Sequence, residues 1–210
     1  IDPEIETQTS SKTITTKIDI QFLPEGGHMV SDTENTIGVI AKNELGFGVA
    51  NLTCELIDDT NQVINSFKLN DFGIGKFKFT PQEGKDFKVS IQSPTKEETY
   101  VLEKPKSNGV VMSLNDLGNR GVALSLKTNE RTLASIMNKP YKLIIHNGFE
   151  QKIIDIIFTD EASIIQLIAL ENLFSGINIF TLFDDNNQPL LERLFFNYES
   201  IDVLKSSEGM

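Results

Sequence analysis

Apolar side chains recur at every second position along most of this chain. Between Lys12 and Phe22 the even positions are Ile14, Thr16, Ile18, Ile20 and Phe22, while the odd positions include Thr13, Thr15, Lys17 and Asp19. A period of two sends alternate side chains to opposite faces of a strand, so this segment reads as a strand with one buried and one wet face. Six more segments share the pattern, namely Thr36–Lys42, Val49–Ile57, Val63–Leu69, Lys76–Thr80, Asp86–Gln92 and Thr99–Glu103. Turn chemistry separates them. Pro24-Glu25-Gly26-Gly27, Asn43-Glu44-Leu45-Gly46, Asp58-Asp59-Thr60-Asn61, Asp71-Phe72-Gly73 and Pro81-Gln82-Glu83-Gly84 all supply residues that accept positive φ or bond their own backbone. Seven short strands in about 100 residues is the count of an immunoglobulin-like sandwich.

The segment 104–109 (Lys-Pro-Lys-Ser-Asn-Gly) breaks the rhythm and has the composition of a linker. A second series of seven follows: Val110–Leu114, Val122–Thr128, Tyr141–His146, Lys152–Phe158, Ser163–Leu170, Ile177–Asp184 and Leu190–Tyr198. The pattern therefore predicts an all-β protein of two tandem sandwich domains, 1–103 and 104–198. Residues 199–210 are expected to be a tail or the start of a further domain. Asn129–Met137 is expected to be a short helix or a long loop. The runs around Ile153–Phe158 and Ile164–Ile168 are almost unbroken, as expected of central strands buried on both faces.

Composition limits function. A net charge of −11 with no dense basic stripe argues against nucleic acid and against an anionic bilayer as partners. The charge is uneven, −8 over residues 1–103 and −3 over 104–210. No apolar run reaches the ~20 residues of a membrane span, so direct membrane insertion is not expected. The chain opens on Ile1 without a signal peptide, which reads as a piece cut from a longer, exported polypeptide. The single cysteine, Cys54, excludes an internal disulfide and any multi-cysteine metal site, and its alternating surroundings make it a small buried hydrophobe.

Chemistry-bearing patterns are sparse. His28 and His146 are the only histidines, and no serine lies in a Gly-x-Ser-x-Gly elbow. Asp58-Asp59 and Asp184-Asp185-Asn186-Asn187 offer oxygens but lack the spacing of a calcium loop. Gly46-Phe47-Gly48 and Gly73-Ile74-Gly75 fall short of a dinucleotide fingerprint. No enzyme activity, cofactor or metal is predicted. Asn51-Leu52-Thr53 is a formal glycosylation sequon inside an expected strand. Leu56–Gln62 and Leu182–Gln188 echo one another, a similarity expected from convergent hairpin chemistry.

Two motifs point to contacts. Glu25 and His28 flank the Gly26-Gly27 reversal after the first strand, where Glu25 is free to cap backbone N–H groups or face a neighbouring domain. In Pro189–Phe196, Glu192 and Arg193 point opposite ways among large apolar residues, so one of them must find a partner in a partly buried setting. Glu25, His28, Glu192 and Arg193 are therefore the candidate interdomain or partner contacts.

Ile20–Gly27, with Asn35–Lys42, Gly46–Val49 and Gly73–Pro81, resembles macroglobulin-like domains of large Bacteroidetes surface proteins. Ser175–Asp184 and Pro189–Leu194 are similar to the closing hairpin of the next domain in the same arrays. The resemblance implies tandem macroglobulin-like sandwiches exported to the periplasm or outer-membrane surface of a Gram-negative bacterium, of the kind sometimes fused to TonB-dependent receptor plug domains. The thioester sequence Gly-Cys-Gly-Glu-Gln of trapping macroglobulins is missing, since Cys54 lies in Thr-Cys-Glu-Leu. The expected role is a non-enzymatic structural or protein-interaction module whose partners are proteins or neighbouring domains of the same polypeptide. The alternative is a carbohydrate- or peptide-binding module of an outer-membrane nutrient-uptake system. Against the sugar reading, tryptophan is absent, tyrosines number three, and most phenylalanines fit buried strand positions.

Overall fold

A computed structural model describes residues 18–92 and 97–199. The first half holds β1 (Asp19–Pro24), β2 (Asn35–Lys42), β3 (Thr53–Ile57), β4 (Val63–Lys68), β5 (Ile74–Phe79), β6 (Lys88–Gln92) and β7 (Glu97–Val101). The second holds β8 (Val110–Asp116), β9 (Val122–Thr128), β10 (Tyr141–His146), β11 (Gln151–Ile156), β12 (Ser163–Ile168), β13 (Gly176–Phe183) and β14 (Pro189–Asn197), with helix α1 (Glu130–Ile136) between β9 and β10. Every pairing between these strands is antiparallel.

The strands form four sheets, β1-β2-β5 and β4-β3-β6-β7 in the first half, β12-β9-β8 and β11-β10-β13-β14 in the second. Counted within each half, both give the same order: strands 1-2-5 make one sheet and 4-3-6-7 the other. Each pair of sheets closes over its own core. Ile37, Val39, Cys54, Leu56, Phe77 and Val89 lie in the first core; Leu124, Leu126, Leu143, Phe158, Phe180 and Leu182 lie in the second. The chain is thus an all-β protein of two tandem immunoglobulin-like sandwiches.

Alternation explains the burial. Along β2 every odd residue from Asn35 to Ala41 is buried and the even ones are half-buried or exposed. Burial pushes the Cys54 thiol up to about 11, which leaves it a packed, unreactive side chain.

Among the described residues one turn design is used four times. At Asn43, Asp58, Asn70 and Asp184 the first side chain accepts from the N–H groups two and four residues on. The fourth residue, Gly46, Asn61, Gly73 or Asn187, takes positive φ. The Leu56–Gln62 and Leu182–Gln188 echo belongs to this set. The first joins β3 to β4 and the second β13 to β14, so they occupy different places in their sandwiches and share turn chemistry alone.

Several expectations are corrected. The first strand runs from Asp19, and the part placed before residue 18 lies outside the described residues, as does the tail from 200 onward. Asn51 sits in an exposed turn at φ 58°, outside β3. The apolar runs expected in central strands form β11 and β12, each at the edge of its sheet, with Ile153, Ile157, Ile165 and Leu167 exposed. A continuous apolar run reports that both faces are apolar, and edge strands satisfy this as well as central ones. Phe47, Phe72 and Phe149 are exposed at turns instead of filling strand positions.

Candidate functional site

The richest polar chemistry lies where the two sandwiches meet. The segment expected to be a linker is pinned there. Lys106 N–H donates to the Met29 carbonyl at 2.9 Å and Ser31 N–H donates to the Lys106 carbonyl at 2.9 Å, which makes a parallel bridge between Val30 and Lys106. A chain tied at both its N–H and its C=O is not a free tether.

Among the described residues three ion pairs span the junction, and in each the first sandwich supplies the acid and the second the base. Glu25 Oε1 accepts from Arg193 Nη2 at 3.0 Å. Glu34 Oε1 accepts from Lys127 Nζ at 2.8 Å and also from Lys78 at 3.4 Å. Glu83 receives Arg131 in a two-point fork, one arm of which is Nη1 to Oε1 at 2.6 Å. The Lys127 hydrogen bond, opposed by burial, holds the Glu34 carboxyl below its ordinary range. Arg131, aided by the Ser107 hydroxyl, lowers Glu83 to about 2.

Asn129 is the organising residue. It is buried, and its Oδ1 caps α1 by accepting from Thr132 N–H at 2.9 Å and Thr132 Oγ1 at 2.7 Å. Its Nδ2 donates to the Ser31 carbonyl at 2.9 Å and to the Ser107 carbonyl at 2.8 Å. One carboxamide thus ties the second sandwich, the connecting segment and the first sandwich together. Thr132 Oγ1 in turn accepts from Gly109 N–H at 3.0 Å, and Thr128 Oγ1 donates to the Gly109 carbonyl at 2.6 Å.

Of the four candidate contact residues, Glu25, His28 and Arg193 lie beside the junction and Glu192 faces away from it. Glu25 and Arg193 meet as described. Gly26, at φ 85°, follows Glu25 and packs so closely that a Cβ there would stand 3.0 Å from Leu191 Cδ2. His28 is half-buried beside Gly109, and burial, then the Lys106 charge, lowers its pKa. Glu192 projects from the opposite face of β14, is exposed, and meets Thr181 Oγ1 at 3.4 Å. Sequence reading missed Glu34, Glu83, Lys127, Asn129 and Arg131. An asparagine before a helix start is a legible cap signal for Asn129; the others are surface charges until the fold brings them together.

Among the described residues, two buried polar atoms at this junction, Ser125 Oγ and Arg193 Nε, have no protein partner. Away from it, an open cavity of about 440 Å³ lies at the far end of the second sandwich between Asp116, Leu170, Phe195 and Tyr198. His146 lines a separate shallow crevice with Phe149, Glu150 and Thr181. Among the described residues no group of three or more His, Cys, Asp or Glu is placed to hold a metal ion. Among them, too, no helix is long and apolar enough to cross a membrane.

Fold and junction together define the class: a tandem pair of immunoglobulin-like sandwiches joined by a polar, multiply bonded seam. No protein-family model matches the sequence, and no curated protein matches it. Among solved structures, the BSP domain of a biofilm-associated protein is similar at 10% identity and a TM-score of 0.38, over 87% of this chain and 30% of that one. Native E. coli alpha-2-macroglobulin is similar at 9% identity and a TM-score of 0.29, over 91% of this chain and 17% of that one. A two-domain fibronectin type-III segment of chicken tenascin is similar at 9% identity and a TM-score of 0.28, over 85% of this chain and 98% of that one. The chain spans less than a third of the first two of these.

Proposed function

We propose that this chain is a non-enzymatic extracytoplasmic module of a larger cell-envelope or surface protein, acting as a spacer and protein-interaction platform. We assign residues 1–103 to the first domain and 104–198 to the second, with 199–210 as a tail or the start of another. Its setting on this reading is the periplasm or outer-membrane surface of a Gram-negative bacterium, as the resemblance to macroglobulin-like domains of Bacteroidetes implies.

The observation that carries the reading is the junction. Three acid–base pairs, a parallel backbone bridge and the Asn129 carboxamide fix one sandwich against the other. Flexible tethering needs none of these, whereas a spacer needs a set angle. Strand polarity supports it too. Asp19 pairs with Lys42 at the pole away from the junction, since the other end of β2, Asn35, follows Glu34 of the seam. β14 leaves the second sandwich at Asn197, paired with Gly176, on the far side from Gly109. The sandwiches are thus threaded in series.

An antibody raised against this chain tests the reading on fractionated cells of the source organism. The expected signal is in the envelope fractions, at a mass well above 23.4 kDa. A soluble cytoplasmic band at or near that mass would contradict it.

A further inference from the structure

The second sandwich leaves one edge open that the first sandwich closes. In the first, β4 and β5 are the neighbouring edges of the two sheets, and Asn65 Nδ2 on β4 donates to the Lys78 carbonyl on β5 at 3.0 Å. The outer face of β5 also carries Lys76 and Lys78, the usual guard against another strand pairing there. Their counterparts in the second sandwich are β11 and β12. Among the described residues no hydrogen bond joins these two strands, and a groove of about 270 Å³ opens between them. Ile145, Ile154 and Ile168 are among its lining residues.

Among the described residues β12 is bonded only to β9, and none of them takes up the backbone groups of its other edge. Its sequence, Ser-Ile-Ile-Gln-Leu-Ile, holds no charge and no proline. Where β5 places Lys76 and Lys78 outward, β12 places Ile165 and Leu167, 74% and 59% exposed. Asp160 and Glu161 stand at one end of this edge, Glu171 at the other, and Asp155 on β11 opposite, all four exposed; Lys152 of β11, which also lines the groove, is held over the Phe174 ring at 5.2 Å.

We infer that the β11–β12 groove accepts an extended strand of a partner protein, added antiparallel to β12. The occupant alternates apolar residues and carries basic residues at both ends. Backbone bonding to β12 gives affinity, the apolar stripe sets the register, and the acidic rim selects the flanks. A second copy of this chain fits poorly. Pairing β12 with itself about Gln166, which matches Ile165 to Leu167, sets Glu161 against Glu171 at both ends, a like-charge contact that costs stability. The proposal rests on the interaction-platform reading and deepens it.

The probe is a fluorescein-labelled peptide of eight residues, valine and threonine alternating between terminal lysines, titrated into the whole chain by anisotropy. Saturable binding is expected, with amide shift changes confined to β12 and its neighbours. Methylating the peptide amides that face β12 should abolish binding, and glutamate ends should weaken it at least tenfold. Ile165→Lys with Leu167→Lys should also weaken it at least tenfold at an unchanged unfolding midpoint. If that double variant unfolds, the methylated peptide still decides the question. Absence of saturation, equal binding of the methylated peptide, or shifts mapping elsewhere would overturn the groove while leaving the envelope fractionation to judge the module. Concentration-dependent dimers abolished by the lysine pair would assign the edge to a second copy and overturn the proposal as well.

Discussion

Glu25 and Arg193 are 168 positions apart in sequence and 3.0 Å apart in space. Glu25 is mostly buried, with 14% of its side chain exposed, while Arg193 keeps 39%. Removing the arginine therefore strands a carboxylate that water reaches poorly. Arg193→Ala should cost about 1–2 kcal/mol, between the values for exposed and buried pairs. Glu25→Gln should cost less, because a neutral amide tolerates the site. A urea-unfolding double-mutant cycle checks the coupling, and its size should shrink at high salt, where exposed charges are screened.

Asn129 separates capping from docking. Asn129→Asp keeps the oxygen that caps α1 but loses the donors to the Ser31 and Ser107 carbonyls. Asn129→Ala loses both roles and should cost about 2–3 kcal/mol, a cap plus buried carbonyls left unpaired. If the aspartate variant is as stable as the wild type, the seam does not depend on this carboxamide.

Acid should loosen the seam in two steps. Burial and Lys106 depress His28 below its ordinary 6.5, so the unfolded chain takes up that proton first and stability falls as pH drops through and below that value. The Glu83 carboxyl, lowered from 4.5 to about 2 by Arg131, contributes stability that is present above 4.5 and lost as pH falls toward 2. Chemical-denaturation midpoints measured against pH should show both declines. His28→Gln should flatten the upper one and Glu83→Gln the lower.

Strand positions were legible because burial on one face writes a period of two into the sequence, as along Asn35–Lys42 and Tyr141–His146. Edge and centre were not legible. Ile153 and Leu167 are apolar whether a neighbour covers them or not, and only the strand order reveals that none of the described residues does. The seam was half legible. The local setting left Glu25 free to face a neighbouring domain and required a partner for one of Glu192 and Arg193, while Glu34 and Lys127 sit in ordinary surface patterns and meet only because the fold brings the residue before β2 to the end of β9.

The repeated turn makes its own prediction. Asparagine occupies the first position at Asn43 and Asn70, aspartate at Asp58 and Asp184, with the same two backbone N–H donors each time. Asp184→Asn should therefore change stability by less than about 0.5 kcal/mol. Asp184→Ala should cost about 1 kcal/mol, since it removes the acceptor. Thermal unfolding of the two variants side by side distinguishes these outcomes.

The central claim is that the seam holds the two sandwiches at one fixed angle. Cys54 is buried, so spin labels at Glu44→Cys and Glu171→Cys, both exposed positions on different sandwiches, can be attached selectively. Pulsed electron–electron resonance between them should give a single narrow distance distribution, which broadens when Asn129→Ala and Arg193→Ala are combined. A broad or multi-peaked distribution in the otherwise unaltered chain would contradict the claim.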